Sequence, residues 1–238
     1  MCGGRGSRLE SEFEKPLVPV AGVPMIDRVV GALEASAVDR VYAVVSPHAP
    51  ETRRHLETER AGVSLIETPG EGYVADLLTA LADERVSKPV LTVAADLALL
   101  EAAVVDRVIE RYEAGFVSES GSVFSSPYGS ASEPSSPHHG PPTPPSLTVC
   151  VPVALKQRLG VSVDTTLEAA PHLAPTGLNV VGSDTTTMRH RYYDSRLAVN
   201  VNRPADARRA TEWLTAADAD ARSDVDSAAR SESEDRCD

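Results

Sequence analysis

The chain has 238 residues, of which 35 are acidic and 23 basic, so its formal net charge is −12. That charge disfavours a broad electrostatic contact with nucleic acid phosphates, and no run of about 18 apolar residues is present that could insert stably into a membrane. With 42% hydrophobic residues, the composition predicts a soluble, cytoplasmic protein with the core of a single domain.

Helical and strand-like patterns alternate along the chain. The predicted helices cover residues 25–35, 50–60, 73–84, 100–114, 154–159 and 204–215, and the predicted strands cover 40–45, 63–66, 89–94, 147–151, 178–182 and 197–202. Strands that alternate with helices through short turns are typical of an α/β fold whose mainly parallel sheet has helices on both faces. Ligands bind such sheets at the carboxyl ends of the strands, where functional residues are therefore expected.

Two segments lie outside this pattern. Residues 118–146 contain 17 Ser or Pro residues among 29, a composition that cannot bury much apolar area and predicts a flexible surface insertion. Residues 216–238 carry eight acidic side chains and predict a disordered, solvated tail. We expect residues 1–215 to form one domain that carries the insertion.

The choice of basic residues is uneven: Lys15, Lys88 and Lys156 are the only lysines among 23 basic residues. An acid-rich, lysine-poor surface suits high salt, where screening removes self-repulsion, and so favours a halophilic source. The alternative is an ordinary acidic protein from a GC-rich genome, which also favours arginine. The three cysteines lack metal-ligand spacing and fit a reducing interior rather than a disulfide scaffold.

A glycine-rich loop, Gly3-Gly4-Arg5-Gly6-Ser7-Arg8, stands at the start of the sequence. Three glycines in four positions permit positive φ angles and let backbone N–H groups approach an anion closely. Arg8 and Lys15 add positive charge at the same place. Glycines alone describe a disordered leader equally well, and the loop matches neither the Walker A pattern nor the dinucleotide-binding fingerprint.

This loop, followed by Lys15-Pro16-Leu17, resembles the signature of the nucleotidyltransferase superfamily that includes sugar-phosphate nucleotidylyltransferases and molybdenum-cofactor guanylyltransferases. The resemblance implies a three-layer α/β/α, Rossmann-like fold with a mainly parallel mixed sheet. It also implies that the glycine loop wraps the nucleotide phosphates while Arg8 and Lys15 neutralise them. The family has an apolar strand before this loop, and Met1 falls where that strand ends. We expect the strand to lie upstream of Met1, because a fold without its central strand would expose two sheet edges.

Further motifs follow the later strands: Ser46-Pro47, Gly70-Glu71-Gly72-Tyr73, Asp96, Asn179 and Asn200-Val201-Asn202. In this order they are most similar to the archaeal adenosylcobinamide-phosphate guanylyltransferases, over residues 1–115 and 147–215. The resemblance implies that GMP is transferred from GTP to adenosylcobinamide phosphate, with Mg²⁺ as cofactor. We also expect a homodimer as one assembly. Molybdopterin or a sugar 1-phosphate as acceptor, and a non-catalytic nucleotide-binding protein, remain the alternatives.

Asp96 follows a buried strand, where an isolated carboxylate is costly unless it meets a cation. We therefore predict that Asp96 binds Mg²⁺ together with Asn202 or Asn200, against the simpler interpretations of a helix cap and a turn. Tyr73 and Asn179 are predicted to contact the acceptor, and the predicted catalytic set is Arg8, Lys15 and Asp96. The residues predicted to bind the nucleotide are Gly3, Gly4, Arg5, Gly6, Ser7, Arg8, Lys15, Ser46, Pro47, Gly72 and Asp96.

Overall fold

The computed structural model describes residues 1–2, 9, 11–121 and 143–217 and has the predicted α/β fold. A 3₁₀-helix over Lys15–Leu17 precedes the first strand. The strands are β1 (Pro19–Val20), β2 (Val23–Pro24), β3 (Tyr42–Val45), β4 (Ser64–Glu67), β5 (Val90–Val93), β6 (Ser146–Pro152), β7 (Leu173–Val181) and β8 (Thr187–Arg191). The helices are α1 (Met25–Glu34), α2 (Pro50–Glu59), α3 (Tyr73–Leu81), α4 (Ala102–Gly121), α5 (Val153–Arg158), α6 (Ser195–Ala198) and α7 (204–217).

β1 and β2 pair with each other in a separate antiparallel hairpin, and the other strands form a mixed sheet in two hydrogen-bonded parts. β3 and β4 pair in parallel, and the second part has the order β5-β7-β6-β8, in which β7 runs antiparallel to both neighbours. Met1 and Cys2 lie between the two parts: the Met1 nitrogen donates to the Val93 carbonyl (3.0 Å) and the Cys2 nitrogen to the Val44 carbonyl (2.9 Å). These two residues therefore occupy the position at which the sequence predicts the end of the first strand.

Helices cover both faces of the sheet, as predicted. On β3, the side chains of Ala43 and Val45 pack with Ile26 of α1 and Leu56 of α2, whereas Val44 faces the opposite way and packs near Ala80 of α3. This alternation follows from the two-residue period of a strand. The largest buried cluster joins α1 and α4 to β5, β6 and β7. No helix in the described part of the chain has the length and apolar composition of a membrane span.

Several predicted boundaries differ from the structure. The helix predicted over 100–114 continues to Gly121, into the predicted insertion, while residues 122–142 of the insertion and 218–238 of the tail lie outside the described part. The strand predicted over 197–202 is wrong, because α6 occupies its beginning and the rest forms no ladder. Leu197, Val199 and Val201 are buried by side-chain packing rather than by strand pairing, so their apolar pattern was misleading.

β8 was not predicted from the sequence. Its five residues, Thr-Met-Arg-His-Arg, alternate between exposed and half-buried positions, and its described pairing is with β6 alone. A polar strand at the edge of a sheet lacks the apolar run by which a central strand is recognised.

Candidate active site

The chain that follows β3, β4 and β5 lines one cleft at the carboxyl ends of these strands. The cleft has a volume of about 780 Å³. Its lining includes Lys15, Pro16, His48, Gly70, Gly72, Tyr73, Asp76 and Asp96. The structure thus brings together parts of the chain that are far apart in sequence, at the edge of the sheet where ligands bind in α/β folds.

Lys15 and Asp96 line this cleft and meet Asn202 at its edge. The Lys15 ammonium donates to Asp96 Oδ2 at 2.7 Å and to Asn202 Oδ1 at 2.6 Å. The side chains of Lys15 and Asp96 are only 21% and 14% exposed, so this ion pair is partly shielded from water. Shielding strengthens the attraction between the two charges compared with a fully exposed pair. The structure therefore brings three of the predicted site residues, Lys15, Asp96 and Asn202, into direct contact.

The second oxygen of Asp96 is held by Asn200. Asn200 Nδ2 donates to Asp96 Oδ1 (3.0 Å) and to the Thr176 carbonyl (2.7 Å), while its Oδ1 accepts from Lys156 Nζ (3.1 Å). Because a lysine only donates, Lys156 fixes which way the Asn200 amide points. Asp96 Oδ2 is therefore the oxygen that faces Lys15 and the cleft. The two asparagines, which the sequence left as alternatives, have different contacts.

Lys156 is a residue that the sequence analysis did not place in the site. It is only 4% exposed, and its ammonium also donates to the Ala198 carbonyl at 2.6 Å. Burial lowers the pKa of Lys156, and the nearby carboxylates of Asp206, Asp96 and Asp164 act in the opposite direction. The available signal was its rarity, since it is one of three lysines in an arginine-rich chain.

Asp206 is the second residue that the sequence analysis missed. Its carboxylate is 1% exposed and accepts hydrogen bonds from the backbone nitrogens of Asn202 (3.1 Å) and Arg203 (2.9 Å) just before α7. It also accepts from the backbone nitrogen and the hydroxyl of Ser162, both at 2.8 Å. Asp206 therefore fixes the backbone of Asn202 below the cleft. An acidic residue in the first turn of a predicted helix was the available signal.

The turn that opens α3 forms one wall of the cleft. Gly70 and Gly72 have φ angles of +77° and +117°, and Asp76 Oδ1 accepts from the Gly70 nitrogen at 2.9 Å. An L side chain rarely adopts these φ angles, which explains the Gly-x-Gly pattern. Tyr73 is 50% exposed and lies on the rim.

The structure separates the other predicted nucleotide residues. His48 lines the cleft, whereas Ser46 and Pro47 are not among its lining residues. Ser46 is buried, and its hydroxyl accepts from the His48 nitrogen at 3.3 Å. Ser46 thus shapes the turn that presents His48. The predicted loop residues Gly3, Gly4, Arg5, Gly6, Ser7 and Arg8 lie outside the described part of the chain.

A second cleft of about 370 Å³ adjoins the first. The two share Tyr73, Ala94 and Asp96, and the second is further lined by Lys156, Ser162, Asp164, Thr165, Pro175, Gly177, Asn179, Asn200 and Asn202. Of the residues named here, Asn179 lines only the second cleft, whereas Gly70 and His48 line only the first. Two ligands that occupied the two clefts would meet at Asp96.

The oxygens of Asp96 and Asn202 suit a divalent cation. Both already converge on the Lys15 ammonium, and hard carboxylate and amide oxygens are the ligands that Mg²⁺ prefers. Within the described ranges, no group of three His, Cys, Asp or Glu residues could hold a metal. Mg²⁺ bound with nucleotides commonly uses one or two protein oxygens, with phosphates and water as the other ligands. The donor set at Asp96 fits that arrangement.

Comparison with known proteins places the chain among nucleotide-using transferases. The sequence model of the MobA-like NTP transferase domain matches residues 1–137. The adenosylcobinamide-phosphate guanylyltransferase of Methanocaldococcus jannaschii is 30% identical over 115 residues, which are 47% of this chain and 57% of that protein. The bifunctional protein GlmU of Maricaulis maris is 33% identical over 117 residues, which are 48% of this chain and 25% of that protein. The matched segment therefore spans little more than half of the first relative and a quarter of the second.

Two solved structures share the fold at low sequence identity. A putative glucose-1-phosphate thymidylyltransferase from Bacillus anthracis has a TM-score of 0.57 at 13% identity, covering 89% of this chain and 92% of that one. A CMP:2-keto-3-deoxy-manno-octonic acid synthetase in complex with CTP has a TM-score of 0.52 at 13% identity, covering 87% and 95%. Both confirm the predicted α/β fold.

Proposed function

The chain belongs to the MobA-like NTP transferase domain family, and on that premise we propose that it transfers GMP from GTP to adenosylcobinamide phosphate. In this reaction a phosphate oxygen of the acceptor attacks the α-phosphorus of GTP. A new P–O bond forms, the bond between the α-phosphorus and its bridging oxygen breaks, and pyrophosphate leaves. The order of the motifs and the likeness to the archaeal guanylyltransferase support this acceptor.

The observation that carries the proposal is the contact of Lys15 with Asp96 and Asn202 where the two clefts meet. Phosphoryl chemistry of this kind needs no covalent enzyme intermediate, so catalysis consists of positioning and charge stabilisation. In the proposed reaction, Lys15 binds the nucleotide phosphates and stabilises the charge that moves onto the departing pyrophosphate. Arg8 is proposed to assist it from the glycine loop.

Asp96 and Asn202 are the residues that would hold Mg²⁺. When bound, the ion supplies positive charge at the phosphates. Asn200 and Lys156 orient the Asp96 carboxylate, and Asp206 holds the backbone at Asn202. Precise placement of these oxygens is what such a site requires, because loosely held ligands lose both affinity and rate.

The second cleft is the proposed acceptor site. Asn179, Ser162 and Thr165 present amide and hydroxyl groups there, and Tyr73 offers an aromatic surface at the rim. The cleft is small, about 370 Å³, and the half-exposed Tyr73 that lines it is followed in the chain by the exposed Val74. A phosphorylated end could enter while the body of a large acceptor stays outside.

A sugar 1-phosphate is the second candidate acceptor, favoured by the likeness to GlmU and by the small volume of this cleft. To separate the candidates, pyrophosphate release is measured with GTP, ATP, CTP and UTP against adenosylcobinamide phosphate, molybdopterin and sugar 1-phosphates. We expect release with GTP and adenosylcobinamide phosphate. Release with a sugar 1-phosphate alone would replace the acceptor, and binding without release in every combination would favour a non-catalytic nucleotide-binding protein.

A further inference from the structure

Helix α2 begins without a cap of its own. It follows Ala49, which has no side-chain oxygen, and its first residue is Pro50, which has no N–H. The backbone nitrogens of Glu51 and Thr52 are therefore the donors at this helix end that need an acceptor.

Glu14 supplies that acceptor from a distant part of the chain. Its Oε1 accepts from the Glu51 nitrogen at 2.9 Å, and its Oε2 accepts from the Thr52 nitrogen at 2.7 Å and the Thr52 hydroxyl at 2.6 Å. Thr52 is fully buried, so its two bonds to Glu14 are partly shielded from water, whereas the bond from the Glu51 nitrogen is exposed. A carboxylate at the start of a helix also interacts favourably with the helix dipole. Three hydrogen bonds thus tie Glu14 to α2.

Glu14 directly precedes the lysine of the site. The Glu14 carbonyl accepts from the Leu17 nitrogen at 2.8 Å, which closes the 3₁₀-helix that contains Lys15, and Pro16 is buried. The backbone at Lys15 is therefore held both by this turn and by the contact of Glu14 with α2. The reach of the Lys15 ammonium to Asp96 depends on that backbone position.

The start of α2 is also the end of the turn that carries His48. The Ala49 nitrogen donates to the Ser46 carbonyl at 3.1 Å, and Ala49 is buried. His48 projects from this turn into the cleft that Lys15 lines. The contact of Glu14 with Thr52 thus joins two walls of the same cleft that are separated by more than thirty residues of sequence.

We propose that Glu14 is a positioning residue for nucleotide binding: it fixes Lys15 relative to the His48 turn by capping α2, without touching the nucleotide. This rests on the proposed function in that the nucleotide occupies the cleft between Lys15 and His48. Lys15 binds phosphates both before and during the reaction, so its displacement weakens binding more than it slows the bound complex.

The test compares Glu14→Gln with wild type by KM for GTP, kcat for pyrophosphate release and melting temperature. Glu14→Gln keeps the size of the side chain but replaces one acceptor oxygen with a donor. We expect KM to rise about ten-fold while kcat stays within about three-fold, because ground-state and transition-state binding are lost together. Thr52→Val, which loses one of the three hydrogen bonds, should raise KM less, and Thr52→Ser should restore it.

Two control variants separate positioning from stability. Glu12→Gln removes the same charge from an exposed neighbour in the same segment. Asp27→Asn loosens α2 from α1 by weakening the contacts of Asp27 with His55 (2.9 Å) and Arg60 (2.9 Å), away from Lys15. Both should leave KM within two-fold of wild type, although Asp27→Asn lowers the melting temperature.

The proposal is overturned if Glu14→Gln leaves KM within two-fold of wild type, or if Asp27→Asn raises KM as much at an equal loss of melting temperature. If Glu14→Gln does not fold, the same criteria are applied to Thr52→Val. If wild type prefers another nucleoside triphosphate, KM is measured with that nucleotide instead. The assignment of GTP can then fail while the positioning role of Glu14 is still supported. Absence of binding for all four nucleotides overturns both.

Discussion

The ammonium of Lys15 lies 2.7 Å from Asp96 Oδ2 and 2.6 Å from Asn202 Oδ1, the two oxygens that would hold a divalent cation in the proposed function. The other oxygen, Asp96 Oδ1, already accepts a hydrogen bond from Asn200. Asp96 Oδ2 is therefore the one oxygen left for both Lys15 and a cation. In the proposed function, Lys15 and a metal ion would therefore compete for Asp96 Oδ2. A nucleotide that draws Lys15 toward its phosphates would release this oxygen, which couples nucleotide binding to metal binding.

The first prediction follows from that competition. Without nucleotide, Lys15→Gln should bind Mn²⁺ about ten-fold more tightly than wild type, equal to about 1.4 kcal/mol, because a cation next to the carboxylate has been removed. The measurement is a titration of free Mn²⁺ by electron paramagnetic resonance. Lys88→Gln removes the same charge from an exposed position and should leave the affinity unchanged. Equal or weaker Mn²⁺ binding by Lys15→Gln would contradict the competition.

The second prediction concerns catalysis by Asp96. Asp96→Asn should lower kcat for pyrophosphate release by at least about 100-fold, because it removes the negative charge that contacts Lys15 and that would hold Mg²⁺ in the proposed function. The rate is measured at saturating GTP and Mg²⁺. Asp106→Asn is the control. Asp106 lies on α4, accepts a hydrogen bond from the Ala37 nitrogen (2.7 Å) and lines neither cleft. Near-normal turnover of Asp96→Asn would rule out the proposed role.

The third prediction concerns the backbone at Gly177. Its φ is +84°, and an added Cβ would lie 2.8 Å from the Cβ of Ala94. Gly177→Ala should therefore lower the free energy of unfolding by about 1–3 kcal/mol. Gly31→Ala on α1 is the matched comparison, because no atom lies within 4 Å of the added Cβ there. That variant should gain about 0.5–1 kcal/mol. Urea unfolding at neutral pH measures both, and equal effects would show that the conformation at Gly177 is not constrained.

The fourth prediction uses the buried ammonium of Lys156. Burial lowers its pKa in the folded state below the usual 10.5. Between the lowered folded value and 10.5, the unfolded chain binds more protons, so the stability of wild type rises with pH across this range. Lys156→Met removes this contribution. From pH 7 to pH 10.5, the unfolding free energy of wild type should therefore increase relative to that of Lys156→Met.

Chemical denaturation at several pH values measures this difference. Lys88→Met is the control, because it removes the same charge from an exposed position. A parallel pH dependence of wild type and Lys156→Met would contradict the effect of burial on Lys156. The same variant also frees the Asn200 amide, so we expect its pyrophosphate release to fall about ten-fold or more.

Local patterns in the sequence were sufficient for the family, the α/β fold and the candidates Lys15 and Asp96. Each of these depends on a short motif: glycines before a lysine, or a carboxylate after an apolar run. Such motifs predict position well because strand ends in this fold share one edge of the sheet. The strand predicted over 197–202 was wrong, because an apolar pattern shows only that side chains are buried. Such side chains can be buried without pairing in a sheet.

Tertiary structure alone decided how these residues are held. Asn200 and Asn202 are equivalent in the sequence pattern, yet one contacts Asp96 and Lys156 while the other contacts Lys15. Lys156 contacts Asn200 across 44 residues, and Glu14 contacts Thr52 across 38. Contacts between such distant residues depend on the path of the whole chain. The sequence by itself therefore determined which chemistry to expect. The packing of α2, α5 and α7 around the sheet determined which side chains hold the residues of the site in position.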